Sequence, residues 1–196
     1  MDVLFDLDGV LVESYRFRGI LATDFGISAE MTRPFFYGRF NLCATGKADL
    51  FEELPPFLES WAWPGSPRES VDMWFAADSM VKPDVLDFAS DLRARGLRCH
   101  IASNQEKHRA LYIAETMGFG ARFDSLFFSH ALGAQKPAAE YYERIEARLG
   151  LRGAELLFID DNRDNVDAAA RRGWHTVHFV GLESIEEVAR RLDALA

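Results

Sequence analysis

A chain of 196 residues with 48% hydrophobic content can bury a sizeable core, as one domain or one domain with a small insertion. Its formal net charge of −9 argues against non-specific nucleic-acid binding and against attraction to an anionic membrane surface. A small anionic ligand would therefore need local positive charge, from a bound metal and one or two placed Lys or Arg.

The apolar run Val3-Leu4-Phe5 predicts a buried strand, which stops at Asp6 and Asp8; Gly9 then predicts a tight turn. Two carboxylates beside an apolar strand are costly to bury as anions unless a cation, a proton or a set of donors accompanies them. After Val12 the pattern turns helical. Ser14 is placed to cap a helix over 15–25, closed by Gly26, and Ser28 leads into a helix over 29–37 whose continuity is challenged by Pro34. A helix over 48–60 is interrupted by Pro55-Pro56, and the breaker-rich stretch 63–67 separates it from a helix over 68–79. No strand-like alternation occurs in 13–82, so this segment is expected to be an all-helical insertion.

From Pro83 the chain alternates. Helices are expected at 84–95, 106–117, 137–149, 163–172 and 183–195, and strands at 97–103, 124–129, 156–159 and 174–180. Such alternation implies βαβ units: an α/β fold with a parallel sheet, in which ligands bind outside the carboxyl ends of the strands. The expected division is a core of 1–12 with 83–196, and a helical cap of 13–82. Cys43 and Cys99 lie far apart among apolar neighbours and read as buried free thiols. With nothing resembling a signal peptide and no apolar stretch of bilayer-spanning length, a cytoplasmic location is expected.

Polar residues mark the carboxyl ends of the predicted strands: Asp6 and Asp8, Ser103 and Asn104, Asp160 and Asp161, with Lys136-Pro137 in the loop after the third. Taken singly, several have bland readings. Ser103-Asn104 or Asp161 would serve as helix caps, and Lys136 as a solvated loop residue. Together they place two acidic pairs, a Lys, a hydroxyl and a carboxamide on one edge. That set suits phosphoryl transfer. Carboxylate oxygens suit Mg²⁺, an Asp can act as nucleophile, a second carboxyl can move the proton, and Lys136 offsets the charge. Ser103 and backbone amides would hold the phosphate.

Asp6-Leu-Asp-Gly-Val-Leu11, Ser103-Asn104, Lys136-Pro137 and Ile159-Asp-Asp-Asn162 resemble, in order, the four motifs of the haloacid dehalogenase-like superfamily. The insertion resembles the helical C1-type cap of some members. The resemblance implies a Rossmann-like three-layer α/β/α core, Asp6 as nucleophile and Asp8 as general acid and base. It also implies Ser103 and Asn104 with Lys136 at the phosphate, and Mg²⁺ held by Asp6, the Asp8 backbone carbonyl and Asp161, with Asp160 acting behind them or through water. Where relatives often carry Asp or Gly a few residues after the acidic pair, this chain has Asp164-Asn165, which leaves open which of the two, if either, supports the metal. The segment 103–164 looks most like compact-capped phosphatases similar to bacterial glucose-1-phosphate phosphatases.

Asp8 argues against a dehalogenase, since the family's dehalogenases lack that carboxyl. The expected activity is Mg²⁺-dependent hydrolysis of a small phosphorylated metabolite, with a phosphomutase as the alternative and an inactive phospho-binding module as a further one. A bacterial receiver domain has similar groups in a different order: its acidic pair comes first, whereas here the second pair comes last and a long insertion follows the first strand. Within the insertion, Arg16, Arg18, Tyr37, Arg39, Lys47, Trp61 and Trp63 are candidates to meet substrate, most of them expected to be packing or solvated residues. The segment Gln105–Arg109 lies on the same sheet edge, where His108 reads as a surface helix residue. Oligomeric state is not legible.

Overall fold

The computed structural model describes residues 1–14 and 16–195, the side chains of Ala194 and Leu195 apart. Five parallel strands form one sheet in the order β3-β2-β1-β4-β5: β1 (Asp2–Phe5), β2 (Arg98–Ser103), β3 (Ser125–Phe128), β4 (Leu156–Asp160) and β5 (His175–His178). Burial on both faces explains why these strands read as apolar runs. Val3, Phe5, Cys99, Ile101, Leu157 and Ile159 enter one core cluster; Leu4, Ala102, Leu156 and Phe158 enter the other. The first cluster is covered by α7 (Pro83–Ala94) and α13 (Glu183–Leu195), the second by α11 (Ala139–Leu149) and α12 (Arg163–Arg171). The result is the expected three-layer, Rossmann-like arrangement.

Register places the site. Phe5 pairs with Ile101 on one side and Ile159 on the other, so the residues that follow each strand emerge at one level. The Asp6 amide continues the ladder onto the Ile159 carbonyl at 2.8 Å.

Among the described residues of 13–82, the regular elements are helical: α1 (Arg16–Phe25), α2 (Ala29–Pro34), a π-helical turn (Phe35–Arg39), α3 (Phe40–Ala44), α4 (Leu50–Glu53), α5 (Pro55–Ser60) and α6 (Pro67–Ala77). The expected start of the first helix falls on Tyr15, outside the described residues. Pro34 does not end the second helix. Pro34 keeps helical backbone angles, and the chain runs directly on from it into the π turn. Pro55 does divide the third, and α5 starts on it, at a position that needs no amide donor. A capping box between Ser66 and Glu69 starts α6. These helices enclose their own apolar cluster, from Phe17 to Phe75.

Two crossings join this bundle to the sheet, and they hold each other. Val12 and Val81 form an antiparallel bridge, which among the described residues is the one departure from an all-helical insertion. The Glu13 amide donates to Met80 and the Lys82 amide to Leu11, each at 2.9 Å. Beyond the crossings, α8 (Lys107–Leu111) passes into a second π turn (Tyr112–Thr116), and short helices α9 (Phe119–Arg122) and α10 (Ser129–Leu132) appear where none was expected. The helix expected over 137–149 starts at Ala139 rather than Pro137, behind a turn closed by the Ala138 amide on the Gln135 carbonyl.

Candidate active site

Asp6 leaves β1 nearly buried, and its Oδ1 accepts from the Leu7 amide at 2.7 Å and pairs with Lys136 Nζ at 2.8 Å. The same ammonium reaches Asp160 Oδ2 at 2.6 Å. Asp160 is fully buried. Its carboxylate also takes the Asn162 amide at 2.7 Å and both of its oxygens take Asn165 Nδ2 at 3.1 Å. Asp160 is thus committed to Lys136 and Asn165. Asn165 is the residue that supports the acidic group, while Asp164 is exposed and its amide donates to Asn162.

The capping alternatives resolve against the motif residues. Glu106 caps α8 and Asn162 caps α12, so neither Ser103-Asn104 nor Asp161 is used that way. Asn104 instead clamps the loop that carries Lys136: its Nδ2 donates to the Lys136 carbonyl at 3.0 Å and its Oδ1 accepts the Lys136 amide at 2.8 Å. Lys136 is buried rather than solvated.

Burial, and then the charge of Asp160, push the Asp6 carboxyl well above the usual carboxylate range, with Lys136 opposing. Burial also raises Asp8, against the lowering effects of Arg109 and of the hydrogen bond from Gln105. Asp161 is raised by burial and by Asp160. Burial works against the Lys136 ammonium, yet Asp160 and Asp6 hold it far above the ordinary lysine value, so it stays charged. Removing one partner from a buried pair costs roughly 3–5 kcal/mol, so this lysine has a structural role.

One Lys does not balance these acids. Oxygens of Asp6, Asp160 and Asp161 lie within 4.8 Å of one another. Gly9 lies against Asp161, whose Oδ2 would stand 2.0 Å from any Cβ at that position. A hard oxygen donor set with excess negative charge fits Mg²⁺, with Asp6 and Asp161 the carboxylates to hold it.

A cavity of about 430 Å³ opens above these groups, between the sheet edge and the helical insertion. Its floor includes Asp6, Asp8, Ser103, Asn104, Lys136 and Asp161. The insertion contributes Arg18, Phe36, Tyr37, Phe40, Asn41 and Trp74. Of the candidates from sequence, Arg18 and Tyr37 line it, with Arg18 Nη1 on the Tyr37 hydroxyl at 3.3 Å and its guanidinium 4.6 Å from the Phe36 ring centroid. Arg16 instead pairs with Glu13, Arg39 with Glu53, and Trp61 is buried with its Nε1 on the Met31 carbonyl. Trp63 packs against Phe25 at a tilt, with ring centroids 4.6 Å apart, Lys47 is exposed outside the cavity wall, and His108 bridges to Asp49 of the insertion at 3.0 Å.

Three further candidates have no role assigned from sequence, although the segment Gln105–Arg109 is placed on this edge. Gln105 Nε2 donates to Asp8 Oδ2 at 2.5 Å and to Ser103 Oγ at 3.0 Å. Buried Arg109 donates to the Phe75 carbonyl at 2.8 Å, to Ser79 Oγ at 2.9 Å and to the Asp78 carbonyl, joining α8 to the end of α6. Gln135 reaches Asn41 at 3.3 Å across the cavity mouth.

Sheet order and acidic edge together define a Rossmann-like α/β protein whose site lies where its strands end. A family model of haloacid dehalogenase-like hydrolases matches residues 3–173, and the chain belongs to that family. It is 28% identical over 95 residues to the GMP/IMP nucleotidase YrfG of Escherichia coli, a match covering 48% of this chain and 43% of that protein. It is 29% identical over 100 residues to enolase-phosphatase E1 of Erwinia tasmaniensis, covering 50% and 43%. The matched segments thus span under half the length of these curated relatives. Among solved structures, a HAD-like family hydrolase from Porphyromonas gingivalis superposes with a TM-score of 0.78 at 25% identity, over 97% of each chain. The HAD family enzyme BT-2542 of Bacteroides thetaiotaomicron, in complex with magnesium and inorganic phosphate, gives 0.75 at 22% identity over 89% and 91% of the chains, a likeness of fold.

Proposed function

We propose that this protein is a Mg²⁺-dependent cytoplasmic phosphatase of a small phosphomonoester, working through an aspartyl-phosphate on Asp6, with 13–82 as the cap over a core of 1–12 and 83–196. The observation that carries this reading is the pairing of two differently held carboxylates two residues apart. Asp6 is locked to Lys136, and half-buried Asp8 is held at one oxygen by Gln105. Relatives named as a nucleotidase and an enolase-phosphatase, and a neighbour bound to magnesium and phosphate, support the same chemistry.

Asp6 attacks phosphorus as the bond to the alcohol oxygen breaks, and the Asp8 proton goes to that oxygen. Asp8 then takes a proton from water, whose oxygen displaces the Asp6 carboxylate and releases inorganic phosphate. Lys136 and the Ser103 hydroxyl stabilise charge on the transferred group. Mg²⁺, when held by Asp6, Asp161 and the Asp8 carbonyl, supplies Lewis-acid charge stabilisation. Asn104 keeps Lys136 in place from behind.

The test is a panel of phosphomonoesters assayed with Mg²⁺ and with chelator. Hydrolysis should fall to background on chelation and in Asp6→Asn; full activity in Asp6→Asn overturns the covalent mechanism. Conversion of a hexose 1-phosphate to its 6-phosphate without phosphate release would reassign the protein as a mutase.

A further inference from the structure

Gln105 sits where three parts of the molecule meet. Its side-chain amide nitrogen is shared between Asp8 Oδ2 and Ser103 Oγ, at 2.5 and 3.0 Å. Its backbone is held as firmly. The Gln105 amide donates to Ser129 Oγ at 3.0 Å, and its carbonyl accepts from the His130 amide at 3.2 Å. Ser129 is fully buried at the start of α10, and its hydroxyl lies 2.5 Å from the carbonyl of Ala44, the last residue of α3 in the insertion. Gly46, just beyond, packs so closely on the His130 carbonyl that a Cβ would stand 2.5 Å from it. A chain of hydrogen bonds therefore runs from the insertion through Ser129 and Gln105 to the two polar groups at the site floor.

The chemistry of each link has a direction. An N–H given to Ser103 Oγ occupies a lone pair, which leaves the hydroxyl hydrogen to be donated elsewhere, to a phosphate oxygen. An N–H given to Asp8 Oδ2 engages that oxygen, so the proton exchanged with the leaving alcohol belongs to Oδ1. A carboxylate with no such tether rotates among rotamers, and small misplacements of a proton donor are costly in rate.

We propose that Gln105 is a positioning residue that sets the orientation of both Asp8 and Ser103, and that Ser129 ties this orientation to the seating of the insertion. The proposal rests on the phosphatase reading of the site.

The experiment compares kcat/KM for an aryl phosphate, p-nitrophenyl phosphate, with that for the best alkyl phosphomonoester of the panel, in wild type, Gln105→Met and Ser129→Ala. An aryl leaving group departs with little help from an acid, whereas an alkyl one needs the proton. Gln105→Met should lose about 10²-fold on the alkyl ester, the lower range for a general acid, and markedly less on the aryl ester. Ser129→Ala, which touches no reacting group, should shift the ratio in the same direction by a smaller factor. Equal losses on both esters, or none, in Gln105→Met overturn the positioning role. An unchanged ratio in Ser129→Ala overturns the link to the insertion. If Gln105→Met does not fold, as judged by thermal unfolding, Ser129→Ala decides for the whole chain of bonds. A wild type inactive on every phosphomonoester refutes the underlying phosphatase reading instead, and is seen before any variant is made.

Discussion

Gly9 shows how one atom can shape a site. Its φ of +86° is one that an L side chain adopts at a cost of roughly 1–2 kcal/mol, and its missing Cβ is the space that Asp161 occupies. Gly9→Ala should therefore do two things. It should lower the thermal midpoint, and it should raise the Mg²⁺ concentration for half-maximal hydrolysis by about tenfold, the lower range for disturbed support of a metal ligand. A Mg²⁺ titration separates the two effects, and an unshifted midpoint in that titration removes the steric argument. The turn at Gly9 was legible from an apolar run followed by Asp-x-Asp-Gly. Its close approach to Asp161 was not, because it depends on β1 lying beside β4. Likewise Asp164 and Asn165 are neighbours of equal promise in sequence, and only the turn of α12 decides that Asn165 faces Asp160.

At the scale of elements, one carboxylate, Asp49, serves a helix on each side of the boundary between the insertion and the core. Asp49 caps α4 through the Phe51 amide at 2.9 Å and also takes His108 Nε2 from α8. Burial alone would raise its carboxyl, but the Phe51 amide and His108 hold it below the ordinary value. A carboxyl depressed in the folded state contributes stability that is present above its unfolded pKa, about 3.9, and lost as pH falls through the lower folded value. Asn also caps helices well, so Asp49→Asn removes the charge and keeps the cap. Its deficit in thermal midpoint should shrink as pH falls below about 4, where the carboxyl of the wild type is itself neutralised. A deficit that persists undiminished to pH 3 would contradict this assignment. The π turn at Phe35–Arg39 is a further device at this scale. It directs Phe36, Tyr37 and nearby Phe40 to the cavity wall, which a straight helix read past Pro34 did not anticipate.

For the whole molecule, the organising fact is that two adjacent crossings carry the insertion while polar contacts seat it on the core. Cys43 in α3 and Cys99 in β2 report on these two layers separately. Burial is the main cause that pushes Cys43 up to about 11 and Cys99 up to about 12, so both thiols should resist alkylation at pH 8 in the native state. Cys99 belongs to the core cluster on one face of the sheet, whereas Cys43 lies at the end of α3 where the insertion meets α10. Mild denaturant should expose Cys43 to alkylation before Cys99, because lifting the insertion breaks fewer apolar contacts than opening the sheet. Equal labelling rates would show that the two parts unfold as one.

The sequence alone determined that strands alternate with helices after Pro83, that a helical segment intervenes after the first strand, and that carboxylates, Ser103 and Lys136 sit at the strands' carboxyl ends. Those features are local. A buried parallel strand must be an apolar run, and a polar residue is tolerated where it stops. Tertiary structure alone decided the partners. Gln105 and Asp8 are 97 positions apart in the chain, and Lys136 and Asp160 are 24 apart. Such pairs form only when strand order and register bring the loops together, and no periodicity records that. So Asp6 and Lys136 could be named before the fold was seen. What holds Asp8, what Asn104 grips and what Asp160 is spent on could not.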